Sequence, residues 1–191
     1  LAHHSKEVVV IPDPEDMIEM AKTVERTFDD HGWDCAPLLG TIADVGDSYQ
    51  SRPFPIQPWD VDPDDPAGAL VSIATEMMKQ ARLHHRLTDA MGVSHLSDLT
   101  VGVWFTFEAW AGVMGEEETR LCVLLDCGGW VHEVVRRRGE EPKIACFGPG
   151  EDAQWGGILD GLRRMLLAIG SGMSTGTIDM EKVGMAGVGR S

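Results

Sequence analysis

Cys122, Asp126, Cys127 and His132 fall within eleven positions of the segment RLCVLLDCGGWVHEVVRRRGEEPKI, residues 120 to 144. Thiolate, carboxylate and imidazole are the groups that ligate zinc, or that serve as nucleophile, orienting partner and base. Their spacing is therefore tested against a geometry. Gly128 and Gly129 between two β-rich runs predict a two-residue hairpin turn. That turn sets Cys127 opposite Trp130, Leu125 opposite His132, Val123 opposite Val134 and Leu121 opposite Arg136. Alternation then turns Cys122, Leu124 and Asp126 to the face of Val131, Glu133 and Val135. Cys122 and Cys127 point to opposite faces, about 16 Å apart at ~3.3 Å per residue, and share no metal. A second turn at GEEP, with Arg138 opposite Lys143, puts Cys122, Val135 and Cys146 in one row. The two thiols of that row stand about 9.6 Å apart at ~4.8 Å per strand, beyond the ~7 Å reach of a disulfide. The expectation is a structural hairpin whose cysteines are small buried hydrophobes.

Other groupings carry less. DVDPDD, from Asp60 to Asp65, begins like a calcium loop but has Asp65 and Val71 where an EF-hand needs glycine and glutamate. Asp60, Asp62 and Asp64 remain weak candidates for a divalent ion, and Asp65 before Pro66 reads as a helix cap. GMSTG, from Gly172 to Gly176, matches the serine-hydrolase elbow in letters only, because no histidine follows Ser174. His84 falls near an apolar helical stripe and reads as a satisfied buried histidine; His31, His85 and His95 have no sequence partner. Arg136, Arg137 and Arg138 stand beside Glu140 and Glu141 at a strand end. They read as a charged edge against aggregation, or as a contact for a carboxylate of a ligand or partner. No phosphate-binding glycine loop occurs, and no cofactor is expected.

The elements that must position these residues are legible by period and punctuation. Asp13 caps and Pro14 begins a helix whose stripe is Met17, Ala21, Val24 and Phe28, with Gly32 as its stop. A short strand over Val8 to Ile11 is expected before it. Residues 33 to 65, with five prolines, read as a long connecting segment that wraps the core. A second helix opens at Asp65 and Pro66 and runs to Gly92, with Leu70, Ile73, Ala74, Met77, Ala81 and His84 on one face. GVWFTFEAW alternates Val103, Phe105, Phe107 and Ala109 against Trp104, Thr106, Glu108 and Trp110. The hairpin and KIACF add further strands. DAQWGGILDGLRRMLLAIG has a helical face of Trp155, Ile158, Leu159, Leu162, Met165, Leu166 and Ile169. Residues 171–191 read as a flexible glycine-rich tail. The expected class is α+β in a single domain over residues 7–170. It is an antiparallel β-meander of three to four strands with two to three helices on one face.

The net charge of −15 over 191 residues argues against direct nucleic-acid binding, whose affinity comes from cations that displace counterions. It leaves basic protein partners open. No apolar run approaches the ~18–20 residues that span a bilayer, and Val8 to Ile11 is too short for a signal-peptide core. Four scattered cysteines fit a reducing compartment. The expected location is cytoplasmic.

GVWFTFEAWAG, VHEVVRRRGEEPKI and the helix ending GLRRMLLAI together resemble small uncharacterised proteins encoded by bacteriophages of actinobacteria. The likeness covers about residues 65 to 170 and rests on rhythm, not on catalytic residues. It implies an accessory protein acting inside a bacterial cell. The leading functional reading is a non-enzymatic acidic binding protein that works through protein–protein contacts. Its candidate contact residues are Trp104, Trp110, Arg136, Arg137 and Arg138, since tryptophan and arginine dominate binding hot spots. One alternative is a metal-assisted hydrolase built on Asp60, Asp62 and Asp64. Another is a nucleic-acid mimic that occupies a DNA-binding protein.

Overall fold

The computed structural model describes residues 11–53, 65–76, 99–111, 117–151 and 155–173. Helix α1 spans Pro14–His31. Strands β1, Leu38–Asp44, and β2, Tyr49–Pro53, follow as a hairpin. Helix α2 is described over residues 66–76. Strand β3 is Leu99–Ala111, β4 Glu117–Asp126, β5 Val131–Arg137 and β6 Lys143–Phe147. Helix α3, Gly156–Met173, closes the described chain. The class is α+β, and the six strands form one antiparallel sheet in the order β2-β1-β3-β4-β5-β6.

The helices begin and end on local signals. Asp13 accepts the backbone N–H of Glu15 at 2.9 Å, and Gly32 leaves the helix with φ +90°. Asp65 accepts the N–H of Gly68 at 2.9 Å and so caps α2. Met17, Ala21, Val24 and Phe28 are all buried, as their spacing along the helix requires. Helix α3 continues to Met173, three residues beyond Gly170, the expected end of the domain.

Two expectations are corrected. Residues 33 to 65 are not only a connector, because β1 and β2 lie within them and widen the sheet to six strands. Pro37 precedes β1, and Pro53 is the last residue of the edge strand β2, positions that spare the sheet's hydrogen bonds. Nor do the helices occupy one face. Helix α1 packs Met17, Ala21 and Val24 on Ile42, Trp104, Cys122, Leu124 and Val134. On the other face Leu70 and Ala74 of α2, with Leu159, Leu162, Met165 and Leu166 of α3, cover Leu39, Val103, Phe105, Val123 and Leu125. A strand covered on both sides has no polar face to alternate with. The run Leu121-Cys122-Val123-Leu124-Leu125 is of that kind and is wholly buried. A bulge opposite Ile42 and Ala43 leaves Val101 as an extra residue and brings it to the α1 face.

The expected strand over Val8 to Ile11 lies outside the described residues except for Ile11, which is exposed and in no strand. Residues 77–98 and 174–191 also lie outside them. No helix among the described residues is long and apolar enough to cross a membrane.

Candidate functional site

The glycine turn differs from its expected form by one residue. Asp126 pairs with Trp130 across a three-residue loop, Cys127-Gly128-Gly129, in which Gly129 adopts φ +86°. This is a type I turn closed by a left-handed glycine, the usual three-residue hairpin. Leu125 consequently faces Val131, Leu124 faces His132, and Cys122 faces Val134. A shift of one residue exchanges the faces of a strand. Cys122, Leu124 and Asp126 therefore share the α1 face with His132 and Val134, not with Val131, Glu133 and Val135. The second turn also differs: Val135 pairs with Lys143, and His132 pairs with Cys146.

These registers assemble three groups that the linear spacing keeps apart. Asp126 is fully buried. Its Oδ1 accepts the N–H of Gly128 at 2.8 Å and of Trp130 at 3.0 Å. Its Oδ2 lies 3.1 Å from Nε2 of His132, also fully buried. Nδ1 of His132 lies 3.4 Å from Sγ of Cys146 on the edge strand β6. Cys146 is half-buried. Burial raises its thiol pKa above the ordinary value, and the carboxylates of Asp126 and Glu151 raise it further. Cys127 is pushed up to about 12, first by burial and then by Asp126. Cys122 is raised as well, by burial and by Glu25. All four cysteines are free. Cys122 and Cys127 are buried, in keeping with the expected small hydrophobes, but both pack in the cluster on the α1 side and not on opposite faces as expected. No group of three or more metal-ligating side chains occurs among the described residues.

A second cluster ties α1 to the sheet, around a residue with no sequence signal of its own. Arg120 is fully buried. Its guanidinium bonds Glu108 Oε1 through Nε at 3.1 Å and Nη2 at 2.8 Å, reaches Asp29 at 3.2 Å, and donates to the carbonyl of Gly32. Glu108 Oε2 accepts the N–H groups of Asp34 and Cys35. Arg136 forks onto Glu25, at 2.7 and 2.9 Å, and lies 3.4 Å from Asp29. Trp33 stacks over Arg120 with its ring centre 4.5 Å from the guanidinium carbon. The planar fork of arginine suits such multiple contacts.

Among the expected contact residues, Trp104 is buried beneath α1, a core residue with no indole face for a partner. Its Nε1 has no hydrogen-bond partner. Trp110 lies in β3. Arg136 is committed to Glu25 within the chain. Arg137 and Arg138 pair with Glu117 and Glu118 at the sheet's end, with about half of each arginine side chain exposed. Asp60, Asp62 and Asp64 lie outside the described residues, as do His84, His85 and His95.

An acidic patch forms where the start of α1 meets the β1–β2 turn. Asp13 and Asp16 are exposed, Asp44 is half-buried, and all three act on the phenol of Tyr49. The Tyr49 pKa is raised by burial and then by Asp44, Asp16 and Asp13. No protein-family model, curated protein or solved structure matches this chain at a significant level.

Proposed function

We propose that this is a cytoplasmic accessory protein that acts by contact with another protein, and that its partner presents a cationic surface. What supports the reading is the net charge of −15, with Asp13 and Asp16 exposed at the start of α1 and Asp44 half-buried at the end of β1. Arg120, Arg136, Arg137 and Arg138 are meanwhile held in ion pairs elsewhere. Like charges brought together raise the local potential, and a cationic partner relieves it while speeding encounter. The resemblance to small uncharacterised proteins of actinobacterial phages implies an accessory role of this kind.

The test is recovery of the protein from its host at low ionic strength, then binding measurements with the identified partner. Complexes held by exposed charges weaken as salt shortens the screening length to about 8 Å at physiological strength. The double variant Asp13→Asn and Asp16→Asn removes two charges, while asparagine still caps α1. Its partner affinity is expected to fall about tenfold, and salt to matter less. Recovery of the chain alone at low salt, or binding indifferent to both salt and variant, contradicts the reading.

A further inference from the structure

We propose that Cys146 is a nucleophilic thiol, with His132 as its base and Asp126 as the residue that positions that base, and that it accepts an uncharged activated acyl group. The inference goes beyond the contact reading and stands without it.

The imidazole comes first. An ionised carboxylate only accepts hydrogen bonds, so Oδ2 of Asp126, 3.1 Å away, requires the proton on Nε2 of His132. In the neutral ring this leaves the lone pair on Nδ1, the atom 3.4 Å from Cys146 Sγ. Nucleophile, base and orienting carboxylate thus stand in line, which is the signature of an activated nucleophile. The carboxylate is itself immobile, because its other oxygen is held by two backbone N–H groups of the turn. A buried neutral imidazole carries one donor and one acceptor and needs a partner for each. Here both ring nitrogens are engaged, and the outer partner is a half-buried thiol on the sheet's edge.

The same surroundings select the electrophile. Burial and the carboxylates of Asp126 and Glu151 keep the thiol protonated at rest. Attack then depends on proton transfer to Nδ1 rather than on a standing thiolate. Those carboxylates also oppose an anionic reagent. In the reaction a bond forms between Sγ and the acyl carbon, and the bond from that carbon to its leaving group breaks. The thiol proton passes to Nδ1 of His132 and from there to the leaving group. Asp126 takes no proton in the step, no electrons are transferred, and no oxidant or reductant is needed.

The probes are p-nitrophenyl acetate, a neutral activated ester, and the pair iodoacetamide and iodoacetate, with labelled cysteines located by peptide mass spectrometry on the full chain. Three results are expected. Acetyl transfer goes to Cys146. The neutral alkylating reagent outpaces the anionic one by more than it does for free cysteine. The wild-type rate climbs with pH less steeply than the tenfold per pH unit of an unassisted thiol. His132→Gln is expected to lower the neutral-pH rate by about 10²-fold, the low end of general-base assistance. Asp126→Asn keeps the turn's acceptor oxygen but offers N–H to Nε2, so it moves the ring proton to Nδ1 and lowers the rate without unfolding the chain. Thermal melts of both variants separate this from loss of structure, and the wild-type pH profile needs neither variant. Labelling of Cys146 only on denaturation, or rates unchanged in both variants, overturns the proposal.

Discussion

Two buried charges show what single side chains contribute. Arg120 faces Glu108 and Asp29 with no exposed surface, and Glu25 stands 3.7 Å away. Replacing it by methionine fills the volume but leaves the Glu108 carboxylate buried without its cation. Deleting one partner of a buried ion pair costs about 3–5 kcal/mol. Arg120→Met is expected to lower the unfolding free energy by that amount, measured by urea denaturation. Glu133 is the opposite case: on the α2 and α3 side of the sheet it is buried, and its Oε1 has no hydrogen-bond partner. Burial raises its pKa from 4.5, and a hydrogen bond from Trp155 opposes the rise only in part. The folded state therefore binds this proton more tightly than the unfolded chain does. Its contribution is favourable below the unfolded value and is lost as pH rises through the raised folded one. Glu133→Gln is accordingly expected to raise the Tm at pH 7 and to change it little below about pH 4, where the unfolded carboxyl is protonated too.

At the scale of elements, α1 is held to the sheet at two places. Met17, Ala21 and Val24 pack along its length, and the arginine cluster ties down its end. Where the Trp104 indole lies between α1 and β1, the backbone must come close. Gly40 makes this possible, since a β-carbon there would stand 2.5 Å from the Arg52 carbonyl oxygen and closer still to the indole. Overpacking of this kind costs about 1–3 kcal/mol. Gly40→Ala is expected to destabilise the chain by that amount and to shift the fluorescence of Trp104, read in a denaturant titration. Neither β1 nor β2 stands out in the sequence, because prolines at both ends give the segment an irregular look. LLGTIAD is short, and its apolar residues show no clear period. The helices and β3 are legible because caps, glycine stops and periodic faces are local signals.

For the molecule as a whole, the sheet between two helical layers decides which groups can meet. Composition and charge are legible in the chain itself: an ordinary apolar fraction, a strongly acidic balance, and no catalytic motif in linear order. Arg120 is not, because a single arginine in an apolar strand gains meaning only from Glu108 on the neighbouring strand and from Asp29 on α1. The pairing of His132 with Cys146 and Asp126 escapes the linear spacing for a different reason. That spacing places both turns in the wrong register, and a slip of one residue at Gly128-Gly129 sends every side chain to the other face. The amino-acid order determined the helices, strands β3 to β6, the helix caps and the apolar stripes, since each depends on neighbours within a turn or two. Register, the two-sided burial of the sheet and the company kept by Cys146 were decided only by tertiary structure. Hydrogen-bond ladders between strands are chosen by the whole core at once, and no short window of residues contains that information.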